Sequence, residues 1–327
     1  MVKYEIQNIV PYNKVYYIDC ICLSFFTAVS YFKSSVFSYM ANDYLVYNLG
    51  KTENGLSLSL DNLQIQSFEE VTKNNGIVIE YGKGYYNDIV NRVIDSILKG
   101  YIIILTVDGF YYKHPYHDLF YQKEHHAYHI LVYGFETERK IFKTVEVNGL
   151  EWNTGKCCYR YEMSFQDMVL GHEGIINHVP GGPTLMKLSR KSSLDIISDD
   201  PFSFRGSMID NMISHKTEIL TGLQNILTLS ENIGEFDIPK STAFSNKVAS
   251  LSNQYKINSI IGEDHNCGQL FTDIIESWVA IEALMFMNDI KGVSEKKKFA
   301  SKLGRLYELE CKLYENLFSL FDKIQPV

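Results

Sequence analysis

The feature that most constrains the fold of this chain is a change in hydrophobic periodicity at about residue 190. Before this point, short runs rich in β-branched residues alternate with amphipathic helical segments, which is typical of a mixed domain. After it, helical spacing predominates in four segments, 207–233, 241–255, 269–287 and 294–324. We therefore predict an α+β domain over residues 1–185, followed by an all-helical domain over residues 186–327.

The composition and charge of the chain argue against several classes of function. The 327 residues are 46% hydrophobic and 21% charged, the balance of a globular protein with a packed core. A net charge of -8 argues against nucleic-acid binding, whereas it is compatible with a cationic small substrate such as an amine. The apolar run 274–287 contains Glu276 and Glu282, so no membrane-spanning helix is predicted. The N-terminus lacks the apolar stretch of a signal peptide and the six cysteines are scattered, so we expect a cytoplasmic protein with reduced thiols.

Cys20 is the strongest candidate for a catalytic nucleophile. It follows Asp19, a good helix N-cap residue, and opens a segment with apolar residues at helical spacing. The free N–H groups and the dipole at a helix N-terminus stabilise a thiolate. Cys22 lies roughly 200° further round such a helix, so only one of the two thiols can face a shared site. The alternatives are that Cys22 is the nucleophile, or that Cys20 is a small buried core residue.

His129 is the candidate general base because it opens a predicted buried strand, residues 129–134. A charged turn follows this strand, and residues 140–147 are predicted to return as its hairpin partner. A catalytic histidine needs an acceptor that holds its second ring nitrogen. Glu146 and Asn148 on the returning strand share a face, and either could supply that acceptor. A structural histidine and a solvated strand carboxylate are the alternatives.

The other histidines do not form a recognisable metal motif. Five of them fall within a short stretch: His114, His117, His125, His126 and His129. That stretch is predicted to be a loop followed by a strand, and it has no HExxH pattern. We therefore predict no metal site, and interpret this polar loop as the rim of the active-site cleft.

Asp108 ends the predicted strand 101–107 and could receive the ammonium group of a substrate, although Asp-Gly more commonly forms a turn. Gly181-Gly182 lies between prolines and lacks the strand, loop and helix of a nucleotide site, so no ATP and no other cofactor are predicted. Because an amide-forming enzyme without ATP needs a preactivated acyl donor, a thioester would meet that need.

Three of these features together resemble a known family. They are Asp19-Cys20 before a helix, the segment 129–136 with the sequence HILVYGFE, and the acidic strand residue Glu146. They resemble the papain-like family of the N-terminal domain of the butirosin acyltransferase, and also the bacteriocin-processing peptidases, which are related in fold. The likeness covers residues 10–165. The peptidases have a Gln six residues before the cysteine, whereas this chain has Lys14, so the oxyanion hole would use main-chain N–H groups near Cys20 or Asn13.

The resemblance implies an amide synthase with a papain-like fold. Cys20 would take an acyl group from a carrier-protein thioester, and a small amine would then attack the acyl-enzyme. His129 would handle the protons, and Glu146 would be the acidic third member, where the family usually has Asp. The alternatives are a cysteine peptidase that cleaves a leader or small peptide, in which water resolves the acyl-enzyme, and a non-catalytic binding module that keeps the fold.

Overall fold

The structure is a computed structural model that describes residues 2–14, 20–52, 55–82, 87–113, 120–147, 158–179, 181, 184–191, 199–232, 240–263, 267–291 and 296–324. The chain divides into two compact units. The first contains Met1–Val36 and Thr72–Asp199, and the second contains Phe37–Val71 and Asp200–Val327.

The secondary structure is mixed. In chain order the strands are β1 (Lys3–Glu5), β2 (Asp43–Thr52), β3 (Gly55–Gln64), β4 (Ile77–Gly82), β5 (Ile102–Asp108), β6 (Ala127–Glu136), β7 (Ile141–Val147), β8 (Cys158–Ser164) and β9 (Leu185–Arg190). The helices are α1 (Cys20–Tyr31), α2 (Phe37–Met40), α3 (Phe68–Asn74), α4 (Ile89–Leu98), α5 (Phe165–His178), α6 (Arg205–Ser214), α7 (Lys216–Glu231), α8 (Lys240–Ile261), α9 (Gly268–Lys291) and α10 (Lys296–Ile324). A short 3₁₀ helix, Pro201–Phe204, precedes α6.

The first unit is built on an antiparallel sheet with the strand order β4, β9, β5, β6, β7, β8, and β1 pairs with β6. Every residue of β5 is buried, because this central strand is covered on both of its faces. Helix α1 packs against β5, β6 and β7, and α5 packs against β5. Gly171 permits the close approach of α5, since a Cβ there would lie 2.8 Å from the Val107 side chain.

The second unit contains α2, a long hairpin and the helices α6 to α10. Strands β2 and β3 pair with each other from Asp43 opposite Gln64 to Thr52 opposite Gly55. Helices α7 and α8 pack on this hairpin, and α9 packs against both α8 and α10. The core contains Trp278 stacked on Tyr47, with their ring centroids 6.4 Å apart.

The α+β class and the helical C-terminal region are confirmed, but the division of the chain differs from the predicted boundary after residue 185. Strand β9 lies between β4 and β5, so the first unit continues to Asp199. Residues 37–71, which were assigned to the first domain, belong instead to the second unit. The second unit is therefore not all-helical, because the β2–β3 hairpin is part of it.

The predicted helix 207–233 is divided into α6 and α7 at His215, and the other three predicted helices correspond to α8, α9 and α10. Helix α5 and the β2–β3 hairpin were not predicted. Within the part of the chain that the structure describes, none of the helices combines the length and apolarity needed to cross a bilayer.

Candidate active site

Cys20 is the first residue of α1, where the sequence predicted the start of a helix, and it is partly exposed. The main-chain N–H of His129 donates a hydrogen bond to its Sγ, with 3.3 Å between nitrogen and sulfur. Both this N–H and the N-terminal turn of α1 favour negative charge on the sulfur. The predicted N-cap, Asp19, lies outside the described residues.

The side chain of His129 lies on β6 opposite Thr106 of β5. Its Nδ1 is 3.4 Å from the Thr106 Oγ1, which is the hydrogen-bond partner of this ring among the described residues. When Nδ1 carries the proton, it donates to Thr106, and Nε2 keeps a lone pair that can accept a proton. Burial, and then the nearby His126, lower the pKa of His129 from 6.5 to about 4, so the imidazole is neutral at neutral pH.

Glu146, the predicted third member, is fully buried and has other partners. Tyr112 donates its hydroxyl to Oε2 at 2.6 Å, and Thr144 donates its hydroxyl to Oε1 at 2.5 Å. Burial raises the pKa of Glu146 from 4.5 to about 7, against the lowering effect of the two hydroxyl donors. This carboxyl group belongs to a buried network that includes Tyr112 and Thr144.

Strand pairing separates Glu146 from the His129 ring. Thr144 pairs with Val132, and residues two apart on a strand share a face, so Glu146 points to the same face as Val132. His129 is an odd number of positions from Val132 on β6, so its ring points to the opposite face. The structure therefore does not bring Glu146 and His129 together, and the predicted triad is corrected at this position.

The cause is a β-bulge in β6. On the hairpin side of the bulge Gly134 pairs with Lys143, but on the far side Leu131 pairs with Val145. Without the bulge, the first register would set Leu131 opposite Glu146, on the face that also carries His129. A shift of one residue moves every later side chain of the strand to the other face of the sheet. Asn148, the predicted substitute for Glu146, lies outside the described residues.

Asp108 does not present a carboxylate to a substrate, because its side chain is fully buried. Its Oδ1 accepts hydrogen bonds from the main-chain N–H groups of Phe110 (3.0 Å) and His126 (3.2 Å). Its Oδ2 lies 2.7 Å from Nδ1 of His125. The first of these contacts is the turn that Asp-Gly commonly forms, and the predicted substrate-binding role is corrected to a structural one.

Asn13, considered for the oxyanion hole, is bonded to β8 through both ends of its side-chain amide. Its Nδ2 donates to the carbonyl of Cys158 at 3.1 Å, and its Oδ1 accepts from the Cys158 N–H at 2.7 Å. This pairing holds the segment before α1 against β8. Main-chain N–H groups near Cys20 are therefore the better candidates for an oxyanion hole.

The histidine-rich stretch is an aromatic cluster where it is described. The ring of His125 stacks on His178 with centroids 4.0 Å apart and on Phe110 at 4.4 Å. No group of three or more metal-ligating side chains occurs among the residues with described positions. His114 and His117 lie outside them.

Thr106 is a site residue that the sequence analysis did not identify. Thr106 could have been found from strand pairing alone, since it stands directly opposite His129. Protein-family models and curated proteins were compared with the chain, and neither comparison found a match. The site therefore consists of a thiol at a helix N-terminus that accepts a hydrogen bond from the His129 main chain, the neutral imidazole of the same residue, and a threonine hydroxyl at that ring.

Proposed function

We propose that the first unit is a papain-like thiol acyltransferase that makes amide bonds, with Cys20 as the nucleophile and His129 as the base. The acyl donor is a thioester on a carrier protein, and the acceptor is a small amine. The observation that carries this proposal is the 3.3 Å hydrogen bond from the His129 N–H to Sγ of Cys20, at the first residue of α1.

The acylation step transfers the acyl group to sulfur. Cys20 Sγ attacks the carbonyl carbon of the thioester while Nε2 of His129 accepts the thiol proton. The tetrahedral intermediate then collapses, the bond between the carbonyl carbon and the carrier sulfur breaks, and His129 returns the proton to the leaving thiolate. The products are an acyl-Cys20 thioester and the free thiol of the carrier.

The second step forms the amide. The nitrogen of the amine attacks the carbonyl carbon of acyl-Cys20, and the neutral His129 accepts a proton from that nitrogen. The bond between the carbonyl carbon and Sγ breaks, and the sulfur recovers a proton from His129. The sum is aminolysis of a thioester, which needs no nucleotide and no change of oxidation state.

The neutral state of His129 supports this sequence of proton transfers. With a pKa lowered to about 4, the ring is unprotonated at neutral pH and can accept a proton in each step. The hydrogen bond that Nδ1–H donates to Thr106 restrains the ring, and catalytic contacts of this kind commonly tighten only when substrate binds. Burial disfavours the protonated, positively charged form of the ring, so the ring readily gives the proton to the leaving group.

The test is an assay with purified protein, an acylated carrier protein and a diamine, without any nucleotide. The unmodified enzyme should form the amide, and Cys20→Ala should lower the rate by about a thousandfold or more, because the nucleophile is removed. Cys22→Ala is the matched control, since it removes a partly exposed thiol of the same helix and should keep activity within about twofold.

Two outcomes would contradict the proposal. Full turnover by Cys20→Ala would remove the nucleophile from the mechanism. Release of the free acid in place of the amide, at saturating amine, would identify a hydrolase and not a transferase.

A further inference from the structure

A small cavity lies inside the second unit, where the β2–β3 hairpin meets helices α8, α9 and α10. One part of its wall is apolar and is formed by Leu45, Leu60, Phe271, Ile274 and Leu313. The other part is polar and is formed by Ser250 and Asn253 of α8 and by Glu310 and Tyr314 of α10. The cavity has room for about one water molecule, so the apolar wall excludes larger ligands.

Ser250 contributes a buried hydroxyl group to this wall. The residue is 4% exposed, and its Oγ has no hydrogen-bond partner among the residues that the structure describes. A serine inside a helix often donates to the carbonyl group four residues earlier, as Ser277 of α9 does to Asp273 at 2.8 Å, but Ser250 does not. Because a buried hydroxyl group without a partner costs free energy, we expect the partner of Ser250 to lie in the cavity.

Glu310 contributes a carboxyl group that has one oxygen left for the cavity. Within the described part of the chain its hydrogen bond is the one that Tyr47 donates to Oε1, at 2.5 Å. Burial raises the pKa of Glu310 to about 7, against the lowering effect of this bond, so the carboxyl group holds a proton below that pH. Since Oε1 already accepts a hydrogen bond, the proton is better placed on Oε2, which then acts as a donor.

The polar groups of the wall match a small neutral ligand that both donates and accepts hydrogen bonds. Protonated Glu310 is a donor, whereas the Ser250 hydroxyl and the Asn253 amide can each donate or accept. An ion fits these groups poorly, because a buried charge needs an opposite charge and the wall below pH 7 is neutral. Water meets all of these conditions, and buried waters typically make about three hydrogen bonds to groups of this kind.

We propose that this cavity binds one internal water molecule, which bridges Ser250 of α8 and Glu310 of α10. The water accepts a hydrogen bond from Oε2–H of Glu310 and forms another with Oγ of Ser250, and Asn253 is the third polar partner. The bridge joins two helices that are distant in the sequence. This inference concerns the second unit alone and does not depend on the proposed acyl transfer.

The first test is the sign of a stability change, measured by urea unfolding and circular dichroism at about pH 6, where Glu310 is protonated. Ser250→Ala removes a hydroxyl group that binds the water, so it should raise the unfolding equilibrium constant about fivefold relative to Ser277→Ala. Ser277→Ala is the matched control, because Ser277 is also buried inside a helix and gains the same helix propensity on the change to Ala.

The opposite sign would overturn the proposal. If no water bound Ser250, Ser250→Ala would remove an unpaired buried hydroxyl group, and it would be more stable than Ser277→Ala.

The second test counts internal waters by magnetic relaxation dispersion of the solvent, which detects water molecules that stay in the protein for longer than it tumbles. Ser250→Val fills the cavity with methyl groups, so this variant should hold one such water fewer than the unmodified protein. Ser277→Ala should keep the count of the unmodified protein. An equal count in the unmodified protein and in Ser250→Val with native helix content would overturn the proposal, and the stability test does not depend on this variant.

Discussion

The replacement of Glu146 by Gln separates the structural role of this residue from the catalytic role that its position in the sequence indicated. Gln has nearly the same shape but carries no charge, so Glu146→Gln removes the ionisation of a fully buried carboxyl group and replaces one of its two accepting oxygens by an NH2 group. Burial raises the pKa of Glu146 from 4.5 to about 7. At 1.36 kcal/mol per pKa unit, ionised Glu146 destabilises the folded protein by about 3 kcal/mol.

The sign of the pH dependence follows from proton binding. Between pH 4.5 and about 7 the folded protein holds a proton on Glu146 that the unfolded chain has lost. The stabilising contribution of this group is therefore complete below pH 4.5 and is lost as the pH rises through about 7. We expect Glu146→Gln to gain up to about 3 kcal/mol of stability relative to the unmodified protein between pH 4.5 and 8, less whatever the hydrogen bonds to Tyr112 and Thr144 lose.

The assay is urea unfolding followed by circular dichroism at several pH values, together with the rate of acyl transfer. Because the bulge in β6 places Glu146 on the other face of the sheet from His129, the transfer rate of Glu146→Gln should stay within about threefold of the unmodified enzyme. Glu124→Gln, a change at an exposed carboxyl group, is the control. A hundredfold loss of activity in a folded Glu146→Gln variant, without the stability difference at pH 8, would refute this reasoning.

Two further predictions concern single side chains. Thr106→Val removes the hydroxyl beside Nδ1 of His129 and should slow acylation about tenfold, whereas Thr106→Ser should keep the rate of the unmodified enzyme. Single-turnover acylation rates measure both effects. Equal rates for all three proteins would contradict the role of Thr106. In the second unit, Glu310 accepts a 2.5 Å hydrogen bond from Tyr47, and burial raises its pKa to about 7. The free energy of unfolding of this unit should therefore fall as the pH rises through about 7, and this fall should be smaller in Glu310→Gln. Urea titrations followed by the fluorescence of buried Trp278 measure both. The same pH dependence of stability in both proteins would contradict the burial effect.

The elements that carry Cys20 and His129 could be predicted from local sequence. Helical spacing of apolar residues begins at Cys20, and α1 begins at the same residue. The strand around His129 is a run of β-branched and apolar residues, and it lies within β6. Both are local signals, since each depends on the periodicity of one short segment.

The place of Glu146 could not be predicted, because it depends on the register between two strands. The hairpin turn fixes the register only as far as the bulge at Gly134. At Gly134, β1 passes so close to β6 that a Cβ would lie 2.9 Å from the carbonyl oxygen of Tyr4. The bulge is therefore associated with a contact between residues that are far apart in the sequence, which a single-segment pattern does not contain.

The β2–β3 hairpin was missed for a related reason. Its strands contain polar residues such as Asn48 and Asp61, whose side chains hydrogen-bond to each other across the pair at 2.7 Å. Other polar groups are satisfied by the helices: Asp43 pairs with the buried Lys256 of α8 at 2.7 Å. The hairpin is thus held by helices from the other end of the chain, and its own hydrophobic pattern is weak.

The most direct test of the acyl-enzyme is to map the acyl group. The protein is mixed with an acylated carrier without amine, quenched in acid, digested and analysed by peptide mass spectrometry, with His129→Ala treated in parallel. We predict that the acyl group is bound to the thiol of Cys20. In the His129→Ala protein this group should form at least about a hundredfold more slowly. An acyl group on Cys22, or equal labelling in both proteins, would contradict the assignment of nucleophile and base.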